Sequence, residues 1–254
     1  MFKVTIDVKP VQRFVDDLAK QTLFATAKAL TDTAKEAEKA IKGEMAKSLD
    51  RPTPFTLNSL RTKPATKANL TAEAKIKDEA ANAKPPTVWL APQVYGGVRL
   101  AKRSEERLRR AGVLAANEFV VPGQGAKLDQ YGNMSRGQLQ AILADMQAHW
   151  DHSQNSTATS RAKRQRRRDA QKGAVYFTPR PGSALQRGVY QRIGFGFGSA
   201  IRPVLIFVQG APRYAKRVRF YEVGQRAVEQ HFENYFDMAM REAIRTARSM
   251  QKAA

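Results

Sequence analysis

The amino-acid sequence predicts an α+β fold: an antiparallel sheet packed by a long N-terminal helix and a long C-terminal helix, with a basic, loop-rich central insertion. Three observations lead there. Apolar residues recur three and four positions apart near both ends of the chain, which is the periodicity of a helix with one buried stripe. Alternating or β-rich runs separated by Gly and Pro lie between them. The stretch from Asp151 to Gly173 has almost no apolar content.

Taken in order, Phe2, Val4, Ile6 and Val8 alternate with polar residues, predicting a strand ended at Pro10. From Val11 to about Leu49 the period changes: Leu30, Ala34, Ala37, Ile41 and Met45 mark one side of a long Ala-rich helix, which Pro52 and Pro54 stop. Residues 55–65 read as an extended arm, and Leu70, Ala72, Ala74 and Ile76 as a second strand. Val88, Trp89 and Leu90 suggest a short third strand, and a basic helix is expected over Ala101–Arg110. Residues 112–134, with Pro122, Gly123, Gly125 and Gly132, read as a structured loop; Ser135 is placed to cap a helix carrying Leu139, Ile142, Leu143 and Met146. Beyond the exposed insertion, Ala174–Thr178, Gly188–Ile193 and Pro203–Val208 suggest an antiparallel meander. A last helix, Tyr221–Met250, has Val228, Phe232, Tyr235, Ala239, Ala243 and Ala247 on its apolar side. The expected organisation is one main domain built from 1–98 and 174–254, interrupted by the basic insertion 99–173.

Composition bounds the function. A hydrophobic fraction of 42% and a charged fraction of 26% are globular values. The formal charge of +21, from 44 Lys and Arg against 23 Asp and Glu, calls for a polyanionic partner. Nucleic acid outranks membrane, because no apolar run approaches the roughly 20 residues of a spanning helix. No signal-peptide core follows Met1, so synthesis in the cytoplasm is expected. Zero cysteines excludes disulfides, thiolate metal sites and cysteine nucleophiles.

Chemistry-bearing groupings are sparse, and the expectation is a protein that is not an enzyme and takes no cofactor. Of three histidines, His149 and His152 lie near Asp145 and Asp151, but a polar His beside a hydrophilic loop is expected to be solvated; His231 reads as a packing residue. Gly194, Phe195, Gly196, Phe197 and Gly198 do not have the spacing of a phosphate loop and read as a hairpin tip. The strongest charge feature is the run Arg161, Lys163, Arg164, Arg166, Arg167 and Arg168, a candidate for sequence-independent contact with double-stranded DNA or for docking on an acidic protein surface. A second cluster, Arg99, Lys102, Arg103, Arg107, Arg109 and Arg110, is tempered by Glu105 and Glu106 and reads as a helix face with ordinary ion pairs. A third, Arg213, Lys216, Arg217 and Arg219, is open to either reading.

Several segments together resemble a known family. The Ala/Lys-rich N-terminal helix, the arm Arg51-Pro52-Thr53-Pro54-Phe55-Thr56, the strand ending Ile76-Lys77-Asp78, and the block Tyr214-Ala215-Lys216-Arg217-Val218-Arg219-Phe220 before the last helix are similar to tailed-phage and prophage proteins of the minor tail protein Z, or tail-completion, kind. The segment Ala126 to Gln138 also resembles one found in prophage proteins. The resemblance implies a virion component at the head–tail junction that forms a homo-oligomeric ring around the DNA channel beside other connector and tail proteins, without cofactor or active site. The stretch 99–173 departs from it, being larger than in the simplest members, which leaves a neck or collar role open. On the residues alone, a long Ala-rich helix, an arm carrying Phe55 and a glycine-flanked tip carrying Phe195 and Phe197 are parts that gain burial from neighbouring subunits. The alternative is a non-virion accessory protein that binds nucleic acid without sequence preference.

Overall fold

The computed structural model of the chain describes residues 9–79, 84–167, 174–195 and 198–253, and the strand expected over Phe2–Val8 lies outside them. The class is α+β as expected: seven α-helices and three antiparallel sheets among the described residues, with the two longest helices at the chain ends. The chain divides into two compact units, one of residues 1–94 and 216–254, the other of residues 95–215.

The first unit is organised by α1 (Lys9–Ser48) and α7 (Phe220–Ala253), which pack against each other. They run antiparallel, because Lys28 pairs with Glu242 at 3.6 Å while the Ile41 end of α1 lies beside Gly224. Two kinds of packing hold them. Toward the far end the buried groups are alanines, Ala25, Ala239 and Ala243, with Met240 at their edge. Such small side chains let two helix backbones approach closely, but each buries little apolar area. Toward the other end Ile41 and Met45 meet Leu60, Leu90, Val94 and Val218 in a true apolar core. Fully burying side chains of this size stabilises by about 1.5–3 kcal/mol each, more than a buried alanine does.

The stop after α1 falls where the prolines predict it. Arg51 adopts a left-handed backbone, φ 45°, and Pro52 follows. The expected arm over 55–65 is shorter than read: α2 (Pro54–Leu57) is a single turn capped by Thr53, and β1 (Leu60–Lys63) pairs with β2 (Glu73–Ile76) against α1. Val88–Leu90 are not a strand but part of α3 (Pro86–Tyr95), started by a proline in its first turn. A short apolar run has no period long enough to tell the two apart.

The second unit holds the main sheet, in the order β4-β7-β6-β5, formed by β4 (Glu118–Pro122), β5 (Val175–Phe177), β6 (Gly188–Phe195) and β7 (Gly198–Gln209). Two helices, α4 (Arg103–Arg110) and α5 (Arg136–Asp145), cover one face of it, where Leu108, Ile142 and Leu143 pack with Tyr176, Val189, Val204 and Phe207. A two-stranded ribbon, β3 (Gly97–Val98) with β8 (Arg213–Tyr214), closes the unit. Gly188 stands where β6 meets β7 so closely that a Cβ would lie 2.3 Å from the Leu205 carbonyl oxygen.

This division corrects the expected organisation. The meander 174–208 does not complete a domain with the terminal helices; it pairs through β7 with β4, a strand where the stretch 112–134 predicts a structured loop. Because the sheet needs β4 and its core needs α4 and α5, these elements are structural members of that unit, and the whole of it, residues 95–215, is what interrupts the first unit in sequence. The long helices accordingly pack on each other and on the small β1–β2 hairpin, and the larger sheet has its own helices.

Candidate nucleic-acid interface

The basic run forms a helix, α6 (Ala158–Gln165), where an exposed irregular insertion was expected. Thr157 begins it, its hydroxyl oxygen accepting from the Ser160 N–H at 3.1 Å. The helix phase then sorts the cations. Arg164 turns inward and binds Asp145 at the end of α5 through both terminal nitrogens, Nη1 at 3.1 Å from Oδ2 and Nη2 on Oδ1. Nη2 also donates to the Ser156 hydroxyl at 2.8 Å. Arg161, one turn earlier, lies 3.7 Å from the same carboxylate and donates to the Tyr176 carbonyl at 3.2 Å. Asp145, fully buried, takes one more hydrogen bond, from the Tyr176 N–H at 3.0 Å.

Two of the six candidate DNA contacts are therefore structural. Arg161 and Arg164 fasten α6 to the edge of the sheet, and a guanidinium that already saturates a buried carboxylate has little left for a phosphate. The other candidates behave differently. Lys163 on α6, Arg166 at its C-cap and Arg167 just beyond are all exposed. Arg168 lies outside the described residues. What remains of the predicted site is a compact cationic face, positioned by the inward pair.

The same anchoring closes a strand. β5 lies at the end of the sheet order, so among the described residues its outer side has no neighbouring strand. There the Tyr176 N–H is taken by Asp145 and the Tyr176 carbonyl by Arg161. Side chains thus satisfy the backbone groups that an added strand would need.

The other two basic clusters are largely engaged within the fold. Arg99 makes a two-pronged ion pair with buried Glu105, at 2.8 and 2.6 Å, so the ion pairing expected within the α4 face instead reaches back to a residue before the helix. Burial alone would raise the Glu105 carboxyl; Arg99 and the N–H groups of Val120 and Lys102 outweigh it and hold the group below its ordinary value. Arg99 and Arg109 both lie over the Phe119 ring, at 5.1 and 4.9 Å. Arg110 stacks on Trp150 at 3.6 Å and donates to the His149 carbonyl. In the third cluster, Lys216 pairs with Glu222 at 2.5 Å and Arg219 with Glu44 at 2.9 Å, while Arg213 belongs to β8.

His149 is buried rather than solvated. Its Nε2 is 3.1 Å from the Gln140 carbonyl oxygen, and its backbone N–H donates to Asn155. With Asp145 engaged by two arginines, the imagined His149–His152 grouping is not assembled, and no group of three or more His, Asp or Glu suited to a metal occurs among the described residues. Of the expected subunit-contact residues, Phe55 is 64% exposed and stacks on Trp89 with ring centroids 6.1 Å apart. Phe195 closes β6 opposite Gly198, and Phe197 lies outside the described residues. No helix of the described residues is long and apolar enough to cross a membrane.

Sequence reasoning missed a groove beside α6, which Gln165 also lines and to which β5, β6, β7 and the loop after β5 contribute Phe177, Arg180, Arg192 and Ile201. Its members are distant in sequence and meet only through cross-strand register, a signal a single sequence does not carry. Comparison of the chain with protein-family models, with curated proteins and with solved structures finds no match.

Proposed function

We propose that this chain is a structural protein of a tailed-phage particle, a neck or tail-completion component that assembles into a ring around the DNA channel. The observation that carries the proposal is the construction of the first unit. Among the described residues, its two terminal helices bury alanines toward one end and leave Leu23, Phe24, Val228 and Met238 between 43% and 56% exposed. Large apolar side chains left exposed on packed helices gain burial when a second subunit covers them. Phe55, stacked on Trp89 and mostly exposed, adds a further apolar contact point on the same unit.

The charge supports placement beside DNA. A protein of +21 with exposed Lys163, Arg166 and Arg167 on and just after one helix suits the phosphate backbone and asks nothing of base sequence. The same cations equally favour the second reading, a non-virion accessory protein that binds nucleic acid without sequence preference. Native mass separates them together with particle composition. The proposal expects a closed oligomer of the full chain in solution and a stoichiometric band in purified particles. A monomer at micromolar concentration, with no copies in particles, would leave the accessory reading standing alone.

A further inference from the structure

The groove beside α6 has a chemistry of its own. Val175, Arg192 and Ile201 face one another across three strands, on the side of the sheet opposite the core residue Tyr176. Phe177 and the loop residues Arg180 and Leu185 complete the lining of a cleft of about 730 Å³, within the ~300–1,000 Å³ of small binding sites. Leu185 and Ile201 are 41% and 45% exposed, an apolar floor open to solvent. Both charged residues lining the cleft are arginines, and no acid is among the described residues that line it.

From this combination we infer that the cleft docks an acidic segment of a partner protein, one that carries apolar side chains between its carboxylates. Arg180 and Arg192, both exposed, stand at the walls to receive carboxylates, and planar guanidinium groups bind these in a two-pronged manner. The floor receives the apolar side chains between them. Nucleic acid fits less well. A phosphate backbone gains nothing from Leu185 and Ile201, and Phe177 is not a free platform for a base, because Arg192 lies 5.0 Å over its ring and Tyr190 is 6.2 Å away. A second copy of this chain fits this cleft less well, since its net charge of +21 matches the sign of the two arginines that line it. The inference stands apart from the proposed ring and from the DNA-facing side of α6.

The test is fluorescence anisotropy on the full chain with a labelled peptide of glutamates around a central leucine–phenylalanine pair, at physiological salt. Binding is expected to weaken about tenfold when the pair is changed to serines, and by a similar factor in Ile201→Glu or Arg192→Ala. Neutralising Lys163, Arg166 and Arg167 together is expected to change it less than about twofold. The peptide change leaves the protein untouched, so a folding defect in either variant does not remove the test. Equal binding of the serine peptide would reduce the effect to net charge and overturn the inference. So would an oligonucleotide that binds more tightly than the peptide and loses that binding in Ile201→Glu, which would make the cleft a nucleic-acid site. An oligomer that falls apart in Ile201→Glu would overturn it in favour of a contact between copies.

Discussion

Arg164 and Asp145 form a two-pronged ion pair in which the carboxylate is fully buried and the guanidinium keeps 22% of its side-chain exposure. Removing one member of a buried pair costs about 3–5 kcal/mol, because the other is left without its counter-charge. Partial solvent access to Arg164 lowers this to about 2–4 kcal/mol for Asp145→Ala. Exposed Lys163→Ala is expected to stay within about 0.5 kcal/mol of the wild type. Urea denaturation of the three proteins checks the contrast; equal stability of Asp145→Ala and wild type would remove the structural role assigned to the pair.

The same division of labour predicts how DNA binding depends on salt. If Lys163, Arg166 and Arg167 each neutralise a phosphate, changing all three to Gln should flatten the slope of log affinity against log salt by roughly 0.9 per contact, for every DNA sequence alike. An unchanged slope would mean that the cationic face of α6 does not meet DNA.

Acid should weaken the second unit through Glu118 as well as Glu105. Glu118, buried and paired with Arg187 at 2.7 Å, is held below its ordinary value of 4.5 by that guanidinium. The folded value lies below the unfolded one, so the stabilisation is complete above about pH 4.5 and is lost as pH falls through the folded value. Melting temperature is expected to drop on the acid side of 4.5, and Glu118→Gln should be less stable than wild type at neutral pH with a shallower acid dependence. Parallel acid profiles for the two proteins would show that this pair is not linked to stability.

The alanine contacts between α1 and α7 set a steric limit. Ala239 is 2% exposed where the helices approach, so Ala239→Leu should force them apart at a cost of about 1–3 kcal/mol. Faster amide exchange in the far part of α7, with exchange around Ile41 unchanged, is the expected readout. If exchange in α7 is unaffected, the helices are not in intimate contact there.

Much of this architecture is legible in the sequence, for identifiable reasons. The terminal helices declare themselves through long runs at spacings of three and four, and the 174–209 meander through its Gly and Pro punctuation. Strand β4 was hidden because Phe119, Val120 and Val121 are few and sit among the glycines of a loop-like stretch. In the basic run, net charge without helix phase does not separate the inward arginines from the outward cations. Thr157 as a cap and the three-residue step from Arg161 to Arg164 are signals that place both on one side, but the partner that takes them inward, Asp145, comes from another helix. The two-unit division is beyond sequence reach for a similar reason: pairing between β4 and β7 is a tertiary fact with no local pattern.

The capped backbone of Tyr176 bears on how this protein can go wrong. While Asp145 and Arg161 occupy its N–H and carbonyl, the sheet of the described residues ends at β5. If α6 were clipped away or its arginines replaced, Val175, Tyr176 and Phe177 would become a β-branched and aromatic template on which other chains could stack. The short helix would then act as a guard against fibril seeding, and variants lacking Arg161 and Arg164 should be lost first to thioflavin-positive aggregates, before any loss of binding is measured.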